Sequence, residues 1–211
     1  MIKGAIFDLD GTLLDSMFIW DSFGDDYLRT LGKEPIENLT ETFKTFTLEQ
    51  AAEYYREHYG VTLSVGEIVD GVNEMVTEMY RTKVALKNGV LEFLRDLQSK
   101  GVKMCVATVT DRPIVEDVLK KLGIRDFFTE IFTCAEVGHN KETPHIYRVA
   151  LEVLGTSKEE TVVFEDALHA LTTAKKDGFK VAAVYDRYER NQIQMKENGD
   201  YYITDFKTVQ I

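Results

Sequence analysis

Ile2-Lys3-Gly4-Ala5-Ile6-Phe7 leads directly into Asp8-Leu9-Asp10-Gly11-Thr12-Leu13. The first six residues are largely apolar and short enough for a buried strand. Two carboxylates, Asp8 and Asp10, then leave the strand end one residue apart, and Gly11 lets the chain turn sharply. Charges at such a place require an opening in the sheet and a counter-ion. Bound Mg²⁺ together with a phosphate is the simplest account.

Downstream of Asp15 the pattern becomes helical. Ser16 to Leu31 carries Ile19, Phe23, Tyr27 and Leu31 at helical spacing, with Gly32 as a stop. Leu48 to Tyr59 repeats the pattern and ends at Gly60. Ser64-Val65-Gly66-Glu67 reads as a capping box opening a third helix, which carries Ile68, Val72, Met75, Val76 and Met79 on one side. Glu34 to Thr47 reads as a short helix and loop.

From Leu86 onward helices and strands alternate. Helices are predicted over Gly89–Ser99, Ile114–Leu122, Pro144–Leu154, Ala167–Asp177 and Tyr188–Asn198. Strands are predicted over Lys103–Thr108, Glu130–Cys134, Thr161–Phe164, Val181–Val184 and Tyr201–Ile203. This alternation argues for an α/β fold with a parallel, Rossmann-like sheet covered by helices. The first strand joins that sheet, so residues 1–14 and 85–211 form the core and residues 15–84 an inserted α-helical domain.

The 211 residues carry a net charge of −11. Fourteen acids against five bases lie between Asp15 and Thr82, so the acid is concentrated in the inserted segment. Such a balance opposes nucleic-acid binding, which rests on Lys and Arg neutralising phosphates, and docking on anionic membranes. The two cysteines, Cys105 and Cys134, lie in apolar runs and read as buried thiols. With no cysteine framework, signal peptide or transmembrane stretch, a cytoplasmic location is expected.

Polar groups recur where strands are predicted to end. Asp8 and Asp10 follow the first strand. Thr108, Val109, Thr110 and Asp111 close the run Met104-Cys105-Val106-Ala107, Lys141 lies in the loop after Ile131-Phe132-Thr133-Cys134, and Glu165 and Asp166 follow Val162-Val163-Phe164. In an open parallel sheet, ligands bind outside the carboxyl ends of the strands, where these groups can converge. Their chemistry fits phosphoryl transfer. A carboxylate attacks phosphorus, and a second acid protonates the leaving oxygen and then activates water. A hydroxyl and a lysine hold the phosphate oxygens. Asp8, Asp166 and Asp10, the last through its carbonyl, offer Mg²⁺ its oxygen ligands, with Glu165 beside them.

Taken together, these motifs resemble those of haloacid dehalogenase superfamily hydrolases, in the branch of β-phosphoglucomutase and phosphoglycolate phosphatase with a helical cap after the first motif. The resemblance covers essentially the whole chain. It implies Asp8 as nucleophile, Asp10 as general acid/base and Thr108 with Val109 as the phosphate seat. Lys141 becomes the third-motif lysine and Glu165-Asp166 the acidic fourth motif. It also implies that the cap excludes water and selects the leaving group; Lys44, one of few cations in the acidic segment, is a candidate substrate contact. The chain departs from the family pattern at Glu142 and His145, which replace proline and aspartate, and at Ala167 and Ala170, which replace serine and glycine. None of these removes a group the reaction requires.

The expectation is a Mg²⁺-dependent phosphatase acting on a small phosphorylated metabolite, as a monomer or weak dimer. A phosphomutase would need cap cations for a second phosphate, and this segment is poor in them. A non-catalytic member of the fold would be expected to lack Asp8, Asp10 or Asp166, and all three are present.

Overall fold

The computed structural model describes residues 2–36, 38–43 and 46–209. Strand β1 (Gly4–Phe7) is entirely buried, as the apolar run requires. It lies inside a six-stranded sheet whose spatial order is β5 (Glu130–Thr133), β4 (Lys103–Thr108), β1, β6 (Thr161–Glu165), β7 (Lys180–Val184) and β8 (Tyr201–Ile203). Every pairing is parallel; Gly4 lies opposite Lys103 on one side and Thr161 on the other. The chain builds outward from β1 through β4 to β5, then returns to place β6 against the other edge of β1. That reversal opens a crevice at the carboxyl ends of β1, β4 and β6.

Alternation along the strands sends side chains to two apolar layers. On one face Ile6, Cys105, Ala107, Val163, Val181 and Ala183 form a buried cluster. It also takes in residues of α8 (His145–Leu154), α9 (Leu168–Lys176) and α10 (Gln192–Asn198). In a second, aromatic cluster Phe7 stacks on Phe164 at 4.3 Å and meets Phe93 of α5 (Val90–Ser99) and Phe128 edge-on. Gly4 admits the neighbouring loop: a Cβ there would lie 2.7 Å from Thr156 Oγ1 and 2.8 Å from Thr161 Oγ1.

Two compact units divide the chain. One comprises Met1–Ser16 with Val84–Ile211, and the other Met17–Lys83. Within the first, β2 (Leu14–Asp15) pairs antiparallel with β3 (Ala85–Leu86), so the outgoing and returning strands form a short ribbon. The second unit contains α1 (Met17–Thr30), α2 (Leu39–Phe43), α3 (Leu48–Tyr59) and α4 (Val65–Thr82). Thr47 with Gln50 and Ser64 with Glu67 form capping boxes at the starts of α3 and α4. Tyr55 anchors the bundle by donating its hydroxyl to the Gly24 carbonyl at 2.7 Å. Among the described residues, no helix is long and apolar enough to cross a membrane.

Two predicted elements end differently. The segment expected to be helical from Tyr188 starts its helix only at Gln192. Asp186 and Glu189 carboxylates accept the backbone N–H groups of Tyr188 and Asn191 at 3.0 and 2.7 Å, which holds residues 186–191 as turns. Strand β5 stops at Thr133 rather than Cys134. The Thr133 hydroxyl accepts the Glu136 N–H at 3.3 Å and caps α7 (Cys134–Val137). The remaining helix of this unit, α6 (Arg112–Lys121), begins after Asp111 at its N-cap.

Phe164→Ala removes the ring stacked on Phe7 and leaves a cavity beneath the strand ends. A loss of about 3–5 kcal/mol is expected from urea unfolding of the two proteins.

Candidate active site

Asp8 is the first residue beyond β1, and its N–H still bonds the Phe164 carbonyl at 3.0 Å, extending the β1–β6 ladder by one step. The chain then folds back on itself. Gly11 takes φ 76°, a conformation favouring glycine, and Leu13 and Leu14 N–H groups both bond the Leu9 carbonyl at 2.9 Å. This tight loop fixes the direction of both aspartates.

From β6 and the residue after it come Glu165 and Asp166, both buried. Lys141, in the segment between α7 and α8, is also buried and forms ion pairs with Asp8 and, at 2.7 Å, with Glu165 Oε1. The same Oε1 accepts the hydroxyl of Tyr147 on α8 at 2.7 Å. Thr12 donates to Asp166 Oδ1 at 3.2 Å. One carboxylate oxygen from each of Asp8, Glu165 and Asp166 lies within 4.8 Å of the others.

Three buried acids face the Lys141 ammonium, with Lys87 adding a lesser pull on Asp166, and their protonation follows from that imbalance. Burial pushes the Asp8 carboxyl up to about 6, against the pull of Lys141 and with a further push from Glu165. Burial, followed by the charges of Asp8 and Glu165, drives Asp166 well above the usual carboxylate range. Burial works against the Lys141 ammonium, but Asp8 and Glu165 outweigh it and hold lysine more basic than usual. The Tyr147 phenol is raised by burial and by the Glu165 charge. A close set of hard oxygen donors with excess negative charge fits Mg²⁺. Glu165 Oε1 already accepts two donors, Lys141 and Tyr147, whereas Asp8 Oδ1 and Asp166 Oδ1 each accept one, from Lys141 and Thr12, which leaves the two aspartates the freer donors toward an ion.

Asp10, two residues beyond Asp8, is not one of these three carboxylates. Its carboxylate accepts the Ser16 hydroxyl on Oδ1 and the Thr110 hydroxyl on Oδ2, each at 2.6 Å. Thr108, buried at the end of β4, accepts the Thr110 N–H on its Oγ1 at 3.1 Å. Val109 between them is 64% exposed. Lys44 lies outside the described residues.

The structure thus brings Asp8, Lys141, Glu165 and Asp166 together, with Asp10 in the loop just beyond Asp8, and Thr108 and Val109 at the end of the neighbouring strand β4. It adds Tyr147, Thr12 and Ser16, which the sequence reading did not single out. Tyr147 occupies an apolar helix position, where nothing signals the hydroxyl's partner. Ser16 and Thr12 carried a fainter signal, being hydroxyls close to the paired aspartates.

A model of the family described as haloacid dehalogenase-like hydrolase matches residues 5–184. The CbbY protein of Cereibacter sphaeroides is 27% identical, covering 91% of this chain and 88% of its own. A phosphorylated carbohydrates phosphatase of Thermotoga maritima is 25% identical, covering 85% and 83% respectively. A Thermotoga maritima crystal structure provisionally named a β-phosphoglucomutase superposes with a TM-score of 0.84 at 23% identity, covering 98% of this chain and 95% of that one, and shares the fold. With the paired aspartates, the buried lysine and the acidic pair converging on one sheet crevice, the chain belongs to the haloacid dehalogenase-like hydrolases and is an enzyme of that family.

Proposed function

We propose that this enzyme is a Mg²⁺-dependent phosphatase that hydrolyses a small organic phosphomonoester through an aspartyl-phosphate on Asp8. The observation carrying this reading is the buried Asp8 carboxylate. Its Oδ1 is paired with Lys141, and it lies within ligand distance of Asp166. The phosphatase named for phosphorylated carbohydrates among the relatives supports the substrate class.

Asp8 attacks phosphorus, and the ester oxygen leaves with a proton from Asp10. Water then attacks the phosphoryl group, Asp10 takes its proton, and the bond from phosphorus to Asp8 breaks. Asp10 is thereby returned to its starting form and inorganic phosphate departs. Lys141, held by Glu165, and the Thr108 hydroxyl stabilise phosphate oxygens as charge shifts. Asp8 and Asp166 would hold Mg²⁺, which when bound offsets the repulsion between an anionic nucleophile and an anionic phosphate.

The first test is phosphate release from p-nitrophenyl phosphate with and without Mg²⁺. Release that requires Mg²⁺ and drops by at least about 10³-fold in Asp8→Asn is expected, since the nucleophile is lost. Retained activity in that variant overturns the assignment.

A pH dependence also follows. In the metal-free enzyme Asp8 and Asp166 hold protons at a pH where the unfolded chain has released them. The native state therefore binds more protons than the unfolded state above about pH 4, and stability falls as pH rises through about 6. Mg²⁺ requires the deprotonated carboxylates, so it favours the opposite end of the range. A thermal-melt series is expected to show stabilisation by millimolar Mg²⁺ at pH 7.5 that shrinks as pH falls below about 6. An increment unchanged down to pH 5 refutes this coupling.

A further inference from the structure

The loop after β4 does more than present a phosphate-binding hydroxyl. Thr110 Oγ1 donates to Asp10 Oδ2 at 2.6 Å across a sequence separation of 100 residues. Ser16 Oγ donates to the other oxygen at 2.6 Å. Both oxygens of the carboxylate are thus held by hydroxyls from opposite sides in sequence, one just past β2 and one beyond β4. Thr110 is itself fixed: it is only 8% exposed, and its N–H donates to Thr108 Oγ1 at 3.1 Å. The arrangement runs Thr108, Thr110, Asp10, Ser16 without a break. Thr108 is the phosphate seat and Asp10 the acid/base of the function proposed above.

We infer that Thr110 is a positioning residue for catalysis: it aims the Asp10 carboxylate and ties it to the Thr108 phosphate seat. The inference rests on the reading of Asp8 as nucleophile and Asp10 as acid/base. A carboxylate on a single flexible bond pair can rotate away from its proton partner, and small displacements of a catalytic group cost rate steeply. One hydroxyl fixes a single oxygen and leaves the carboxylate free to swing about it. A second donor on the other oxygen removes that freedom. Because Thr110 bonds both Thr108 and Asp10, a phosphate seated on Thr108 is placed in a defined relation to the group that must protonate its leaving oxygen.

A structural hydroxyl would affect stability and leave kinetics unchanged. A direct phosphate ligand would change KM. A positioning residue lowers kcat without raising KM: KM stays near its original value where the first chemical step limits and falls with kcat where hydrolysis of the phospho-enzyme limits, because Asp10 is needed for chemistry and not for binding.

The test uses the full chain with Mg²⁺ and two probes, p-nitrophenyl phosphate and glycerol 2-phosphate, on the wild type, Thr110→Val, Thr110→Ala and Thr110→Ser. The activated ester needs little protonation of its leaving group, but its phospho-enzyme still needs base-assisted hydrolysis. In Thr110→Val, kcat is expected to fall about 10- to 100-fold on both probes; KM stays within about twofold for glycerol 2-phosphate, where the first step limits, and falls together with kcat for p-nitrophenyl phosphate, where phospho-enzyme accumulates. A burst of p-nitrophenol and a higher steady-state fraction of phosphorylated protein by intact mass should accompany the fall. For glycerol 2-phosphate, the slower protonation step removes the burst. Thr110→Ser restores kcat to within about threefold, because the hydroxyl is retained. Thr110→Ala provides the same measurement if the valine does not fold.

A folded Thr110→Val or Thr110→Ala with kcat within about twofold of the wild type overturns the inference. So does a rise in KM at unchanged kcat, or failure of Thr110→Ser to restore turnover. Asp8→Asn separates the two levels. If that variant is active, the underlying reading falls and the Thr110 inference with it. If it is inactive while Thr110→Val is unimpaired, only the role of Thr110 falls.

Discussion

The structure depends on one electrostatic constraint: Asp8, Glu165 and Asp166 are buried together beside the Lys141 ammonium, with Lys87 adding a lesser pull on Asp166. Removing carboxylates from water is costly, and one lysine cannot neutralise three of them. The excess is visible in the raised carboxyl groups of Asp8 and Asp166. Such an arrangement is sustained by the apolar layers around it and not by its own attraction. Phe7 and Phe164 sit immediately before Asp8 and Glu165 and are themselves locked by stacking. Stability stored in the sheet thus holds the charged groups at a spacing they would not choose.

The sheet topology does the gathering. Asp8, Thr108 and Glu165 come from three strands that are neighbours in space although separated by some hundred and by some sixty residues of sequence. Parallel pairing brings their carboxyl ends to the same side, so groups from strand ends meet without long loops. Tyr147 reaches this point from the helix packed on the sheet, and its hydroxyl holds Glu165 while Glu165 holds Lys141. The lysine's aim is therefore set by a chain of contacts reaching into the hydrophobic layer.

Much of this was legible because it follows from strand ends. Asp8, Asp10, Thr108, Lys141, Glu165 and Asp166 each sit just beyond or at the end of an apolar run, or in the loop that follows one. The Ser64 capping box and the Gly60 stop were equally local and appear at those positions. Other features required three-dimensional information. The hydroxyl of Tyr147 looks like one more buried aromatic until Glu165 is placed opposite it. The turn before Gln192 depends on whether Asp186 and Glu189 spend their carboxylates on nearby N–H groups, which apolar spacing does not reveal. The bond from Thr110 to Asp10 joins residues whose proximity depends on the register of β1 against β4, while the bond from Ser16 follows from the tight loop after Asp8.

The two-residue ribbon of β2 and β3 has a topological consequence. Leu14 pairs with Leu86 and Asp15 with Ala85, so the helical segment leaves and returns through adjacent points. To the sheet it is a closed excursion whose ends are already joined. The chain-closure cost of such an excursion grows only logarithmically with its length. Its size and composition can therefore change without altering which strands pair or where the strand ends fall. The acid-rich character of Met17–Lys83 is free to diverge while the strand order around Asp8 stays the same. The ribbon through which the excursion passes also begins only four residues beyond Asp10.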